Sequence, residues 1–444
     1  MKIELRRDLW LALAAFCWPL ASLTMEGAET ARLGALREVL EAHFNHDASR
    51  LIVRTRSGEL GLWDTKKGTP ISGDPALKEL SEAYVMSPDA HRLLVGFKEG
   101  RARIFDASTG AAFSPVLELS LRENGQAHPQ AVFSPDGSTV VCFGEKKAEV
   151  LDVKTGKRIA TLPVPFEIEE GSDSTALAIF ASNGTKCFVM DPKGAVATYE
   201  TKKWTAAGKP MKHPPAEQAY QFGFDASSDG KWIVTFDDPG ENGPVGQLQV
   251  WDALTNKPLG KPLSAVNGMS GRFLPGQDRV LVQSGRGEAS VRNLPSMEIS
   301  YVIKQHDEID GPHIELFQNG KWLIAWGPDK KIDLIDAVTG KALTTHSSSV
   351  AVAGVMIPAD SSTCYVGLEN TTVATSEVRY DNSLQRFSVP ELQLAGSIPI
   401  PDFLLRQSLS RDGRWILTVQ GATDNERIVV YDAATMKPVE WSAE

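Results

Sequence analysis

The stretch FSPDGSTVVCFGEKKAEVLDVKTGK, from Phe133 to Lys157, holds all the parts of a unit that recurs along this chain. Its Pro-Asp-Gly turn (residues 135–137) combines a fixed φ, a side-chain acceptor for the turn amides and a residue that tolerates φ > 0. The apolar run TVVCF follows, and a second run ends at Asp152, just before a Thr-Gly pair at 155–156. This order predicts two antiparallel strands, with one tight turn before the first strand and another after the second.

The unit occurs nine times. Each copy has a turn residue and a strand-end residue, which lie 15 to 17 positions apart in most copies. The turn residues are Asp47, Asp89, Asp136, Asn183, Asp229, Asp278, Asn319, Asp360 and Asp412, and the strand-end residues are Asp64, Asp106, Asp152, Glu200, Asp252, Asn293, Asp336, Ser388 and Asp432. A repeat of this length is typical of a propeller blade. The sequence therefore predicts an all-β protein, a single β-propeller of about nine four-stranded blades, with eight blades as the alternative.

Runs such as Leu93-Leu94-Val95 and Trp232-Ile233-Val234 are apolar without alternation, which is typical of strands buried on both faces. Three copies of the unit are lengthened by insertions, at 237–246, 371–383 and 421–426. The first insertion, with Asp237 and Asp238, lacks the order of a calcium loop and is interpreted as an exposed hairpin tip. A last strand near Pro438 to Ser442 is predicted to pair with the first blade and close the ring.

The chain resembles the WD-repeat family from about Leu36 to its C-terminus. The resemblance rests on Val250-Trp251-Asp252, on Leu62-Trp63-Asp64, on the FSPDG turn and on GKPMKH, which ends at His213. The sequence has no Gly-His dipeptide, so the structural His–Asp network that the family implies is expected only around His213 and His306. The phrases LDVKTGK and IDAVTGK give a weaker similarity to the propellers of quinoprotein dehydrogenases, but the recurring Trp that those enzymes carry after this phrase is missing.

Residues 1–23 are interpreted as a signal peptide, because a basic start is followed by an apolar stretch from Leu9 to Leu23. An uncleaved interfacial anchor is the alternative, while a stable membrane span is not expected from so short a stretch. Residues 24–44 are interpreted as an N-terminal cap, with a short helix over Glu29 to Phe44, and residues 45–444 as the WD-repeat-like propeller. The protein is thus expected to be exported, to the periplasm or beyond the cell of a bacterium.

Composition restricts the partners. The formal net charge is −10 and no long basic run occurs, so binding to nucleic acid is not expected. After removal of the signal, Cys142, Cys187 and Cys364 remain, and each is predicted to be a buried apolar residue, not half of a disulfide.

One segment carries candidate metal ligands: His306, Asp307, Glu308, Asp310, His313 and Glu315. These are suitable ligand types for a divalent metal, but a structural histidine at His306 with a solvated acidic rim is the preferred interpretation. HExxH, GxSxG and phosphate-loop motifs are absent from the sequence. No catalytic, cofactor-binding or metal-binding residue is therefore predicted, and no cofactor.

The predicted function is a non-catalytic scaffold that binds an unidentified protein or glycan. The alternative is a propeller enzyme, quinoprotein-like or lactonase-like, with its site at the central channel.

Overall fold

The computed structural model describes residues 33, 36, 38–71, 73, 81–97, 101–118, 131–143, 147–163, 177–214, 221–238, 245–266, 268–284, 288–303, 313–374, 377–400, 402, 404–421, 426–439 and 441. Nine small antiparallel sheets form a ring, so the nine-bladed propeller is confirmed and the eight-bladed alternative is wrong. The signal peptide predicted over residues 1–23 lies outside the described residues. Within the described ranges, no helix is long and apolar enough to cross a membrane.

The strands of blades 1 to 5 run in chain order. Blade 1 is formed by β1 (Val39–Phe44), β2 (Arg50–Thr55) and β3 (Leu60–Asp64), with a bridge from Trp63 to Pro70 at its edge; blade 2 by β4 (Ser81–Met86), β5 (Arg92–Phe97), β6 (Arg101–Asp106) and β7 (Leu117–Glu118); blade 3 by β8 (Ala131–Phe133), β9 (Thr139–Phe143), β10 (Lys147–Asp152) and β11 (Arg158–Pro163); blade 4 by β12 (Leu177–Phe180), β13 (Lys186–Met190), β14 (Ala195–Glu200), β15 (Thr205–Ala206) and β16 (Met211–Lys212); blade 5 by β17 (Gln221–Ala226), β18 (Trp232–Asp238), β19 (Val245–Asp252), β20 (Lys257–Pro258) and β21 (Leu263–Val266).

Blades 6 to 9 complete the ring. Blade 6 is formed by β22 (Met269–Phe273), β23 (Arg279–Ser284), β24 (Ala289–Asn293) and β25 (Ile299–Ile303); blade 7 by β26 (His313–Leu316), β27 (Trp322–Trp326), β28 (Lys331–Asp336) and β29 (Ala342–Ser347); blade 8 by β30 (Ala351–Met356), β31 (Thr363–Glu369), β34 (Asn382–Ser388) and β35 (Leu394–Ile400), with the hairpin β32 (Thr371–Ala374) and β33 (Glu377–Tyr380) inserted; blade 9 by β36 (Leu404–Leu409), β37 (Trp415–Gln420), β38 (Arg427–Asp432) and β39 (Lys437–Pro438). All nine predicted strand-end residues are the last residues of a third strand in their blade.

The core is divided among the interfaces between blades. In the described part of the chain, nine clusters of buried apolar side chains each join one pair of neighbouring blades. The cluster between blades 4 and 5, for example, contains Phe188 and Met190 on one side and Ile233 and Trp251 on the other. Because each strand packs against a sheet on either face, the apolar runs of the sequence do not alternate.

The ring closes between blades 9 and 1. Val430 packs with Leu51 and Trp63, and the Arg56 guanidinium binds the buried carboxylate of Glu426 at 2.5 Å. The predicted closing strand at 438–442 is wrong, because Lys437–Pro438 pairs within its own blade. Trp441 instead closes the ring with its side chain.

The Trp441 ring covers Gly68, where an added Cβ would lie 2.5 Å from the indole, and its Nε1 donates to the Thr65 carbonyl at 3.0 Å. Gly68 belongs to the turn between the third and fourth strands of blade 1, and an equivalent residue with φ between 48° and 70° occurs in every blade. These nine residues are Gly68, Gly110, Gly156, Trp204, Asn256, Met297, Gly340, Leu392 and Met436.

The predicted cap helix over Glu29 to Phe44 is wrong at its C-terminal end, where Val39–Phe44 form strand β1. Val39, Ala42 and Phe44 are buried, and pairing with β2 offers their backbone groups partners from a sheet. The propeller therefore begins inside the segment assigned to the cap, at residue 39 instead of residue 45. Leu33 is buried in the same cluster, and its amide donates to the Gly68 carbonyl at 2.7 Å.

Candidate functional site

The turns between first and second strands and those between third and fourth strands emerge on one face of the ring, because successive strands are antiparallel. We call this the turn face. Its aspartates are engaged in local hydrogen bonds: Asp136 accepts from Ser134 Oγ at 2.6 Å and from the Ser138 amide at 3.0 Å. The bond from Ser134 is the main cause that holds the pKa of Asp136 below its ordinary value. These carboxylates serve the turns, as their recurrence predicts.

A groove of about 630 Å³ lies on the turn face between blades 3 and 4. It is bordered by the turn after β8 and by the two turns of blade 4 that reach the same face. Its lining residues are Ser134, Pro135, Asp136, Ser138 and Thr139 of blade 3, and Phe180, Ser182, Asn183, Gly184, Thr185, Glu200, Thr201, Lys202 and Trp204 of blade 4. The volume is in the range of pockets that bind small molecules or a few residues of a partner.

Two aromatic side chains supply the apolar part of the groove. Phe180 ends the first strand of blade 4, and Trp204 follows its third strand at φ 52°. Their rings meet edge to face with centroids 6.0 Å apart. Both side chains are half-buried, so part of each ring contacts the blade 3–4 cluster and part remains accessible. Aromatic rings of this kind supply a large contact area for a partner, and they lose little conformational freedom when the partner binds.

Two of the polar groups around these rings remain available to bind a partner. Thr201 Oγ1 is not one of them, since it donates to the Gly184 carbonyl at 2.6 Å. By contrast, the Glu200 carboxylate and the Lys202 ammonium form no hydrogen bond or ion pair with another described residue. The groove thus combines an aromatic surface with one free acid and one free base.

The central channel is bordered by the first strand of each blade, since first strands of neighbouring blades contact each other. Asp225, Arg272 and Glu315 occupy the last position but one of β17, β22 and β26. Asp225 accepts from the Phe273 amide at 2.8 Å, and Arg272 binds the Ile314 carbonyl and, at 3.3 Å, Glu315. Burial raises the pKa of Asp225 in spite of that bond. These charges tie neighbouring blades together.

The structural network expected around His213 is confirmed in blade 5. A hydrogen bond of 2.8 Å joins His213 Nδ1 and Thr235 Oγ1, and Trp251 Nε1 donates to the same hydroxyl at 3.0 Å. His213 Nε2 lies 3.7 Å from Asp237 Oδ1, which also accepts the Gln247 amide. Burial lowers the pKa of His213, so the imidazole is neutral near pH 7.

The position of Asp237 contradicts the prediction made for the insertion in blade 5. It was expected in an exposed hairpin tip, but β18 extends through Asp238 and leaves Asp237 only 1% exposed. Blade 9 satisfies the equivalent positions without a histidine, because Gln420 Nε2 donates to Thr418 Oγ1 at 2.8 Å and to the Tyr431 hydroxyl at 2.9 Å. The network therefore holds strands together and is a structural device.

The candidate metal ligands His306, Asp307, Glu308 and Asp310 lie outside the described residues. His313 and Glu315 are described, and the structure does not bring them together at a metal site: His313 stacks on Trp326 with ring centroids 5.5 Å apart, while Glu315 faces Arg272. Within the described ranges, no three His, Cys, Asp or Glu side chains are grouped so as to hold a metal ion.

The three cysteines are buried and free, as predicted. Burial raises the pKa of Cys142 and Cys364 to about 12, and that of Cys187 still further. These thiols are protonated at neutral pH and so are poor nucleophiles and metal ligands.

No protein-family model and no curated protein matches the chain. Solved structures do match its fold. The crystal structure of a eukaryotic initiation factor superposes with a TM-score of 0.63 at 13% identity, over 88% of this chain and 94% of that chain. The C-terminal WD40 domain of Sif2 gives a TM-score of 0.51 at 14% identity, over 78% and 94%.

BamB from Moraxella catarrhalis superposes with a TM-score of 0.46 at 14% identity, over 74% of this chain and 96% of that chain. At these identities, the first two likenesses show the propeller fold and nothing about activity or partners. The third is too distant to support an argument.

Proposed function

We propose that this protein is an exported, non-catalytic scaffold that holds a protein or glycan partner in the groove between blades 3 and 4. The observation that carries the proposal is the pairing of Phe180 and Trp204 with the unengaged Glu200 and Lys202 in one groove of about 630 Å³. A groove of this kind provides apolar area for affinity and charged groups for orientation. The nine interlocked blades keep it preformed, which lowers the entropy cost of binding.

The test uses two adjacent lysines. Lys202 lines the groove, whereas Lys203 is also exposed on the same turn but does not line it. Lys202→Trp should fill the groove and abolish capture of the partner from a bacterial envelope extract. Lys203→Trp should capture the same partner as the unmodified protein. Equal capture by both variants would place the partner elsewhere and refute the groove as its site.

Export is the second part of the proposal, and its support is the sequence of residues 1–23. The expected result in a bacterial host is a mature protein in the periplasmic fraction, whose N-terminus by mass spectrometry lies near Thr24. A full-length chain retained with the membrane fraction would instead support the interfacial anchor.

The enzyme alternative predicts a substrate that is consumed, whereas a scaffold releases its captured partner unchanged.

A further inference from the structure

The carboxylate at the end of the third strand is fully used in blades 1 and 2. Asp106 of blade 2 accepts the Ser108 and Thr109 amides of its turn, both at 3.0 Å. It also binds the Arg92 guanidinium at 2.7 Å. Asp64 of blade 1 has contacts of both kinds. An acid held in this way has little capacity left for a partner.

Blade 4 departs from this arrangement at Glu200, which ends its third strand and is exposed. The amide three positions later, that of Lys203, donates to the Glu200 backbone carbonyl at 3.2 Å and not to the side chain. The cross-strand partner of Glu200 is Lys186, but its ammonium lies 3.5 Å from the Gly230 carbonyl of blade 5. These two differences explain why the Glu200 carboxylate is free in the groove.

The lining of the groove carries more negative than positive charge. Asp136 is its second acid, and it accepts only from neutral groups, the Ser134 hydroxyl at 2.6 Å and the Ser138 hydroxyl and amide at 2.8 and 3.0 Å. Such donors leave the charge of a carboxylate in place. Two acids, Asp136 and Glu200, thus stand against one base, Lys202. The formal net charge of −10 on the whole chain acts in the same direction and attracts cations.

We propose that the groove selects a basic segment of a partner protein and holds an arginine side chain of that segment. This inference rests on the proposed function of the groove. The guanidinium pairs with the Glu200 carboxylate and lies against the Trp204 indole, because a guanidinium binds carboxylates through two hydrogen bonds and stacks on aromatic rings. Lys202 opposes this binding. A neutral glycan would leave both acids of the lining without an opposite charge, so the charges favour the basic peptide.

The experiment is isothermal titration of the full-length protein with three capped octapeptides of serine and alanine, which carry arginine, citrulline or glutamate at one central position. The arginine peptide should bind about tenfold more tightly than the citrulline peptide, which has the same shape without the charge, and the glutamate peptide should give no heat.

Variants of the groove should change the affinity for the arginine peptide in opposite directions. Glu200→Gln should weaken it about fivefold, and Lys202→Gln should strengthen it about twofold by removing a like charge. Trp204→Leu should weaken it severalfold, and the backbone accepts leucine because Leu392 has the same position in blade 8, at φ 48°. The control Glu391→Gln, at an exposed acid on the turn of blade 8, should leave the affinity unchanged.

Lys202→Trp, which fills the groove, separates this inference from the proposed function. If it abolishes the binding of peptides that bind equally well with arginine and with citrulline, then the groove holds peptides without selecting a cation, and only this inference fails. An affinity for the arginine peptide that Lys202→Trp and Glu200→Gln leave unchanged would place the peptide elsewhere and overturn the inference. The capture test with Lys202→Trp and Lys203→Trp would still decide whether the groove holds the partner.

Two further results would overturn the inference. One is the absence of heat with the arginine peptide at millimolar concentration in protein that shows its normal unfolding transition. The other is binding of the neutral oligosaccharide chitotetraose, abolished by Lys202→Trp, in protein that does not bind the arginine peptide. That result would assign the groove to a glycan.

Discussion

The buried Asp237 of blade 5 offers the sharpest test of the structure. In Asp237→Ala, the Gln247 amide loses this acceptor. His213 Nε2 lies 3.7 Å from the carboxylate and has no hydrogen bond to lose. Loss of the acceptor of one buried donor costs about 1–3 kcal/mol. The substitution also removes the desolvation cost of a carboxylate whose Oδ2 has no partner among the described residues. The net expectation is a loss of about 2 kcal/mol in the free energy of unfolding.

Urea denaturation followed by fluorescence measures this loss. Asp237→Asn keeps one acceptor oxygen and should lose less than about 1 kcal/mol, while Glu391→Ala, an exposed acid, should lie within about 0.5 kcal/mol of the unmodified protein. A double-mutant cycle with His213→Ala should show coupling of about 0.5 kcal/mol or more, because the two residues share one network. If Asp237→Ala unfolds at the same midpoint as Glu391→Ala, then Asp237 is exposed in solution and the assignment of β18 is wrong.

Four further outcomes are expected. Trp251→Ala should destabilise by about 3–5 kcal/mol in the same urea assay, since the indole is 6% exposed and bonded to Thr235; a loss under about 1 kcal/mol would contradict its place in the core. Gly340→Ala should lower the free energy of unfolding by about 2–4 kcal/mol, because φ is 70° and the added Cβ would lie 2.3 Å from Tyr301. The control Gly260→Ala, at φ 67° with nothing within 4 Å of the added Cβ, should lose only about 1 kcal/mol, from the backbone conformation alone. Equal losses in the two variants would exclude the Tyr301 contact. Hydrogen bonds from Thr435 hold the pKa of Asp432 below its ordinary value, so its stabilisation is complete above about pH 4 and is lost as pH falls through the folded pKa; urea midpoints between pH 5 and pH 2.5 should fall less steeply in Asp432→Asn. Burial lowers the pKa of His213, so the unfolded chain takes up its proton first and stability should fall as pH drops below about 6.5; His213→Asn should flatten that part of the profile, and an unchanged profile would mean that the imidazole is solvated.

The ring could be predicted from the sequence because its signals are local. A turn residue such as Asp136 and a strand end such as Asp152 are determined by neighbours a few positions away, and all nine pairs are found where the repeat predicts them. The cap helix was mispredicted because Leu33, Leu36, Val39 and Leu40 fit a helical period, whereas the pairing of β1 with β2 is the stronger constraint. Tertiary pairing overrides a short periodic pattern.

The sites could not be predicted, because they depend on contacts between distant residues. Phe180 and Trp204 meet only when blade 4 is folded, and Trp204 occupies a position at which four other blades have glycine. Asp237 lies in a stretch with many turn formers, and its burial follows from the longer strand around it. The ring closure places Trp441 on Gly68, and no local pattern indicates a contact between residues so far apart in the sequence.

The left-handed residue after each third strand has a consequence for how such a ring can evolve. Where it is glycine, the preceding blade supplies the covering side chain: Tyr301 for Gly340 and Trp441 for Gly68. Where it carries a side chain, it reaches back, as Met436 does onto Gly396 of the preceding blade. At each of these joints, one blade thus supplies the glycine and its neighbour supplies the side chain that covers it. Blade 9 carries a side chain at both of its joints, Met436 and Trp441, so a second copy of this blade would bring two side chains together at the new joint. Its duplication would therefore require a change on at least one side of that joint.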